Sequence, residues 1–171
     1  MKLYRSFIAS LLFSLVCSIG FAQNTFNYYP TELGDEPLII LEYQMMEPQD
    51  DFTKSQLKDC KFRNEKAKMA NEQLQVAAKE YPFEYIIAKR SALDSLKEKG
   101  YRLVLENDMM KKQDNPEKYL KGNNANDVGD MYILNMENGD KYFLFQISQS
   151  YVFFSKGVMK KFIKQVKREL Y

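Results

Sequence analysis

The 171 residues contain no histidine, no tryptophan and only two cysteines, Cys17 and Cys60. Without histidine, Ser-His-Asp and Cys-His nucleophilic arrangements cannot be assembled, and the commonest zinc ligand is missing. The seven glycines are scattered and form no phosphate cradle. Long apolar runs are scarce too. The clearest, Phe7 to Ile19, is shorter than the roughly 20 residues that a membrane-crossing helix needs. Lys2 and Arg5 precede it, and the small residues Gly20 and Ala22 stand three and one before Gln23, which is the layout of a secretory signal spanning residues 1–22. A lipoprotein signal has a small residue before its cysteine and usually Leu three before it; Val16 and Ser14 hold those places at Cys17. The expectation is an exported chain, periplasmic or secreted, released at Gln23 rather than anchored at Cys17.

Removing residues 1–22 takes away Lys2 and Arg5, which leaves 23 basic against 23 acidic residues in the remaining 149. A neutral chain carries no general basic field, so nucleic acid is not an expected partner. Cys60 alone cannot form an intramolecular disulfide. Packing must therefore supply the stability, and 12 tyrosines with 12 phenylalanines provide material for it.

After a polar, irregular lead-in over residues 23–36, "PLIILEY" (37–43) reads as a strand buried on both faces. A loop follows, then a long helix with Thr53 or Ser55 as cap and Cys60, Ala67, Ala70, Leu74, Ala77, Ala78 and Tyr81 at helical spacing, closed by Pro82. "FEYIIAK" (83–89) is a second strand. "SALDSLKEKG" is a short helix capped by Ser91 and stopped by Gly100. Residues 101–106 alternate as a third strand. A polar excursion covers 107–129, with one helical turn expected at "PEKYLK". "MYILNM" and "KYFLFQIS" flank Asn138-Gly139, a hairpin signal whose two-residue type I′ turn requires positive φ at both residues. The chain closes in a helix from about Lys156, with Met159, Phe162, Ile163, Val166 and Leu170 on one face. This order predicts a single three-layer α/β domain over 37–171, with a mixed sheet of about five strands and helices on both faces.

Carboxylates remain as a route to catalysis. Glu42 ends the first strand, at the edge where doubly wound sheets bind ligands, and Glu47, Asp50 and Asp51 follow it. Two of these acting as acid and base would make a hydrolase of an extracellular polymer. Cys60, on the apolar spacing of a helix, reads as packing. "NANDVGD" (124–130) has Val128 at a calcium-ligand position and lacks the closing Glu, so no metal site and no cofactor are expected. For binding, the candidates are Tyr28, Tyr29 and Tyr151, since a large ring with a polar tip suits interfaces. Lys160, Lys161, Lys164 and Lys167 join them on the last helix, where they could meet an acidic partner or an anionic membrane surface.

The stretch "FEYIIAKRSALDSLKEKGYRLVL", with "PLIILEY" before it and "MYILNMENGDKYFLFQIS" and the final helix after it, resembles the α/β domain of the TolB amino-terminal and CsgG-like families of bacterial envelope proteins. Lys89-Arg90 at the end of a strand and the Leu93, Leu96 pair match that module, whereas the missing lipobox and the long 107–129 connection depart from it. The resemblance implies a module without catalytic residues whose sheet edge or loops engage another envelope protein. The expected function is accordingly a secreted, non-catalytic binding or assembly module of the bacterial cell envelope, with the carboxylate-based hydrolase as the alternative.

Overall fold

The computed structural model describes residues 29–112, 128–148 and 151–170. The signal segment, Tyr28 and "PEKYLK" lie outside the described residues. β1 (Leu38–Leu41) is at most 3 % exposed at any residue, because the sheet surrounds it. β2 (Tyr85–Ala88) and β3 (Leu103–Asn107) lie parallel on its two sides, with Leu38 opposite both Tyr85 and Leu103. β4 (Val128–Asn135) runs antiparallel to β3 and β5 (Lys141–Ser148) antiparallel to β4, giving an open sheet in the order β2-β1-β3-β4-β5. The chain is thus a single α/β domain built on a mixed five-stranded sheet.

Between β1 and β2, α1 (Lys54–Ala77) begins with a reciprocal capping box: the Thr53 hydroxyl accepts from the Gln56 N–H, and the Gln56 side chain accepts from the Thr53 N–H. Its buried residues, Cys60, Ala67, Ala70, Leu74 and Ala77, are mostly small, so the helix approaches its neighbours closely. It tightens into a 3-10 turn at Ala78–Glu80, after which the Tyr81 ring stacks on Phe162 of α4 (Ser155–Leu170), with centroids 5.6 Å apart. The Ser155 hydroxyl donates to the Ala70 carbonyl at 2.6 Å and ties the two helices together. Both cover the sheet face that carries Leu38, Ile40, Leu103, Leu105 and Ile133, where α4 contributes Val158, Met159, Phe162, Ile163 and Val166. On the alternate side chains of the same strands, Ile39, Leu41 and Val104 meet Leu93 and Leu96 of α2 (Leu93–Glu98), a much shorter cover.

The loop after β1 is held by α1 itself. Asn71 accepts from the Tyr43 N–H (2.7 Å) and donates to the Tyr43 carbonyl (2.9 Å), and one heptad earlier Asn64 does the same to Met46 (2.8 Å each way). Each side-chain amide thereby imitates a neighbouring strand and satisfies backbone groups that the loop would otherwise leave unpaired. Cys60, 1 % exposed, packs with Met46 and Phe52 beneath this loop, as its apolar spacing indicated.

Three local expectations change. The hairpin forms where Asn138-Gly139 placed it, but its turn is longer: the Gly139 N–H donates to the Asn135 carbonyl and the Asn135 N–H to the Asp140 carbonyl, both at 2.9 Å. Only Gly139 has positive φ, at 81°, because Asn138 instead uses its side chain to accept from the Asp140 N–H and bond the Asp140 carboxylate. The segment before α2 turns from Arg90 rather than Ser91, as a 3-10 turn over Arg90–Ala92 without a side-chain cap, while Gly100 does stop α2 in a left-handed conformation. And β3 does not alternate between core and water: all five residues are buried, Glu106 included, since strands flank it on both sides and Arg90 neutralises the acid. Of the 107–129 excursion, its first residue closes β3, α3 (Asp108–Lys112) comes next, and its last two residues begin β4.

Candidate functional site

The carboxylates proposed for hydrolysis do not converge. Glu42, just past β1, accepts from the Gln75 side chain on α1 at 3.4 Å, whereas Glu47, Asp50 and Asp51 are exposed on the following loop. None of them lines a groove described below. At the carboxyl ends of β2 and β3, the usual ligand edge of parallel sheets, the space is filled by the protein's own polar groups. Arg90 donates two hydrogen bonds to Glu106, one of them 3.0 Å from Nη1, and Glu106 is 1 % exposed. Tyr132 lies opposite Glu106 on β4, and its hydroxyl pKa is raised first by burial and then by the charges of Glu106 and Asp108. A buried carboxylate matched to its own guanidinium is a structural pair.

The tyrosines separate. Tyr29 packs into the core with Leu33 and Tyr81, 9 % exposed, and loss of solvent followed by the charge of Glu169 pushes its hydroxyl pKa up to about 12. That leaves little of the ring to present to a partner. Tyr151, by contrast, is 61 % exposed and sits edge-on to Phe154, itself 51 % exposed, with centroids 6.5 Å apart.

Between β5 and the first turns of α4 runs a groove of about 370 Å³, lined chiefly by Phe145, Ile147, Tyr151, Phe154 and Lys161. The sequence dictates its shape in three ways. Phe145 and Ile147 alternate on β5 and point to the α4 side of the sheet. Gly157 stands in α4 where any Cβ would lie 2.3 and 2.4 Å from ring carbons of Phe154, so only glycine lets that ring rest across the helix. Lys161, one turn further, extends its ammonium over the Phe145 ring, 4.1 Å from the centroid. Tyr151 and Lys161, singled out from sequence, therefore meet at one place, while Lys160, Lys164 and Lys167 are exposed elsewhere around α4. Phe154 and Gly157 were the residues that sequence reasoning missed. Their significance depends on a contact between a loop and a helix, although a glycine in the first turn of an amphipathic helix was the available signal.

β5 is also the end of the sheet: it pairs with β4 on one side, and among the described residues no strand pairs with its other side. Natural sheets blunt such edges, and this one is blunted over half its length. Lys141 opens it, the register shifts opposite Met131 and Tyr132 so that Leu144 bulges, and Gln165 of α4 donates to the Leu144 carbonyl at 3.2 Å. The remaining half, Phe145 to Ser148, is the half that lines the groove. A second groove of about 570 Å³, on the other side of Phe154, is walled by α1 through Phe62, Lys66 and Met69 and offers no strand edge. No helix among the described residues is long and apolar enough to cross a membrane. No family model matches the chain, and no curated protein or solved structure matches it either.

Proposed function

We propose that this protein is an exported, non-catalytic binding module of the bacterial cell envelope, and that it receives an extended segment of a partner envelope protein as an added strand on β5. The observation that carries the reading is the juxtaposition of a half-edge, Phe145 to Ser148, along which no further strand pairs among the described residues, with a groove between that edge and α4. In strand addition, main-chain hydrogen bonds along the edge supply affinity, and side chains on alternate residues of the incoming segment enter the adjoining groove to supply specificity. Tyr151 and Phe154 suit the role of anchors, being large rings that lose little conformational entropy when covered. The envelope setting is supported by the signal layout of residues 1–22 and by the resemblance to envelope modules.

The test is site-specific photo-crosslinking in the producing cells. A benzophenone side chain at position 151 should yield one dominant protein adduct whose crosslinked peptide maps to a single extended segment, and a benzophenone at Val76, exposed on α1, should not yield that adduct. Equal capture from both positions, or none from 151, refutes the reading.

A further inference from the structure

We infer, resting on the strand-addition reading, that the occupant of the β5 groove is an acidic segment in which a carboxylate side chain meets Lys161 and an aromatic or aliphatic side chain two residues away packs on the Phe154 ring seated on Gly157. Lys161 is the only charged residue among those lining the groove, and among the described residues no carboxylate pairs with it. The cation–π contact with Phe145 fixes its ammonium at the groove wall instead of leaving it to sweep through solvent. Exposed Lys160 and Lys164 raise the potential on the same helix. In a chain whose exported part is neutral overall, this is a local charge rather than a general basic character.

The spacing supports the pairing. Gly157 and Lys161 are one helical turn apart, about 6 Å along the axis. Same-side side chains of an extended segment repeat every second residue, about 6.6 Å. The apolar part of the groove, where the Phe154 ring seated on Gly157 meets Tyr151 and Ile147, and the ammonium at Lys161 therefore match consecutive groove-facing positions of one added strand. Gln165, a further turn along, occupies the Leu144 carbonyl and ends the available edge there. The motif is an apolar residue, any residue, then Asp or Glu, in whichever direction the segment runs.

A random linear peptide library displayed on phage, selected on the purified protein and on Lys161→Glu, tests this. Lys161 is exposed, so the reversal should leave the fold intact. The expected result is the apolar-x-acidic pattern with wild type and a shift to Lys or Arg at the same position with Lys161→Glu. In the individual peptides, Lys161→Gln should weaken binding about threefold, the scale of a partly solvated ion pair. Identical selections by both proteins overturn the acidic pairing while leaving strand addition standing. Failure of wild type to select any peptide overturns both, as does Lys161-dependent sedimentation with anionic phosphatidylglycerol vesicles in the absence of peptide selection.

Discussion

Replacing Gly157 with alanine separates the groove from the stability of the fold. A methyl at this position would sit 2.3 Å from one Phe154 ring carbon and 2.4 Å from another, far inside contact distance, so the ring must swing away. In a helix interior, alanine is better than glycine by about 1 kcal/mol, and roughly half of that is expected in the first turn of α4. Against this stands the loss of the Tyr151–Phe154 edge contact, worth about 0.5 kcal/mol for exposed rings. Net stability therefore stays within about 1 kcal/mol of wild type, a shift in Tm of no more than about 4 °C for a chain of this size. Binding responds differently. With Phe154 gone from the wall, a groove-selected peptide should lose about 2 kcal/mol, close to thirtyfold in Kd, as for truncation of an aromatic anchor. Calorimetric unfolding and fluorescence titration of the same preparation give both numbers. Unchanged affinity at unchanged Tm would show that Phe154 is not part of the site. A Tm lower by more than about 8 °C would show instead that its ring is a structural member of the fold.

The remaining predictions concern the framework that holds the groove. Arg90→Ala strands the buried Glu106 carboxylate and should cost about 3 kcal/mol in urea unfolding, whereas Arg90→Met with Glu106→Leu should stay within about 1 kcal/mol of wild type; equal losses in the two would contradict the structural-pair assignment. Asn71→Ala removes two hydrogen bonds from the Tyr43 backbone and should cost about 2 kcal/mol, with faster amide exchange confined first to residues 43–46. Uniform acceleration across the sheet would argue against a local clamp. Burial raises the hydroxyl pKa of Tyr29 to about 12 and shifts those of Tyr43, Tyr81 and Tyr132 upward as well. A raised folded-state pKa stabilises below the unfolded value of 10.0 and is lost as pH rises through the folded value. Unfolding free energy should therefore fall steadily above pH 10, and a flat profile there would contradict the burial of these hydroxyls.

The parts of this fold readable from sequence are those set by local pattern. "LIIL" reads as central because nothing in it tolerates water, and Thr53, one of the two caps the sequence offered, starts α1. The apolar stripe of α4 and the position of the hairpin follow in the same way. Where reading failed, tertiary partners decided. Glu106 is polar in any alternation, and its burial depends on tertiary partners such as Arg90, sixteen residues earlier, which neutralises it. Asn64 and Asn71 look like ordinary surface residues of a helix until the backbone at 43–46 lies alongside them. Asn138-Gly139 signalled the hairpin, yet Asn135 and Asp140 determined the turn by supplying its closing hydrogen bonds. Of the groove's lining, Tyr151 and Lys161 stand out in the sequence by ring and charge, whereas Phe154 and Gly157 come together only through their mutual contact.

Strand addition makes a claim about particular backbone amides, and native-state hydrogen exchange reads them directly. In the complex with the crosslinked partner segment, or with a selected peptide, the amides of Phe145 to Ser148 should show at least about tenfold slower exchange on the outward-facing positions, while Lys141 to Leu144, already blunted, change little. A saturated complex in which residues 145–148 exchange as they do in the free protein would contradict the account.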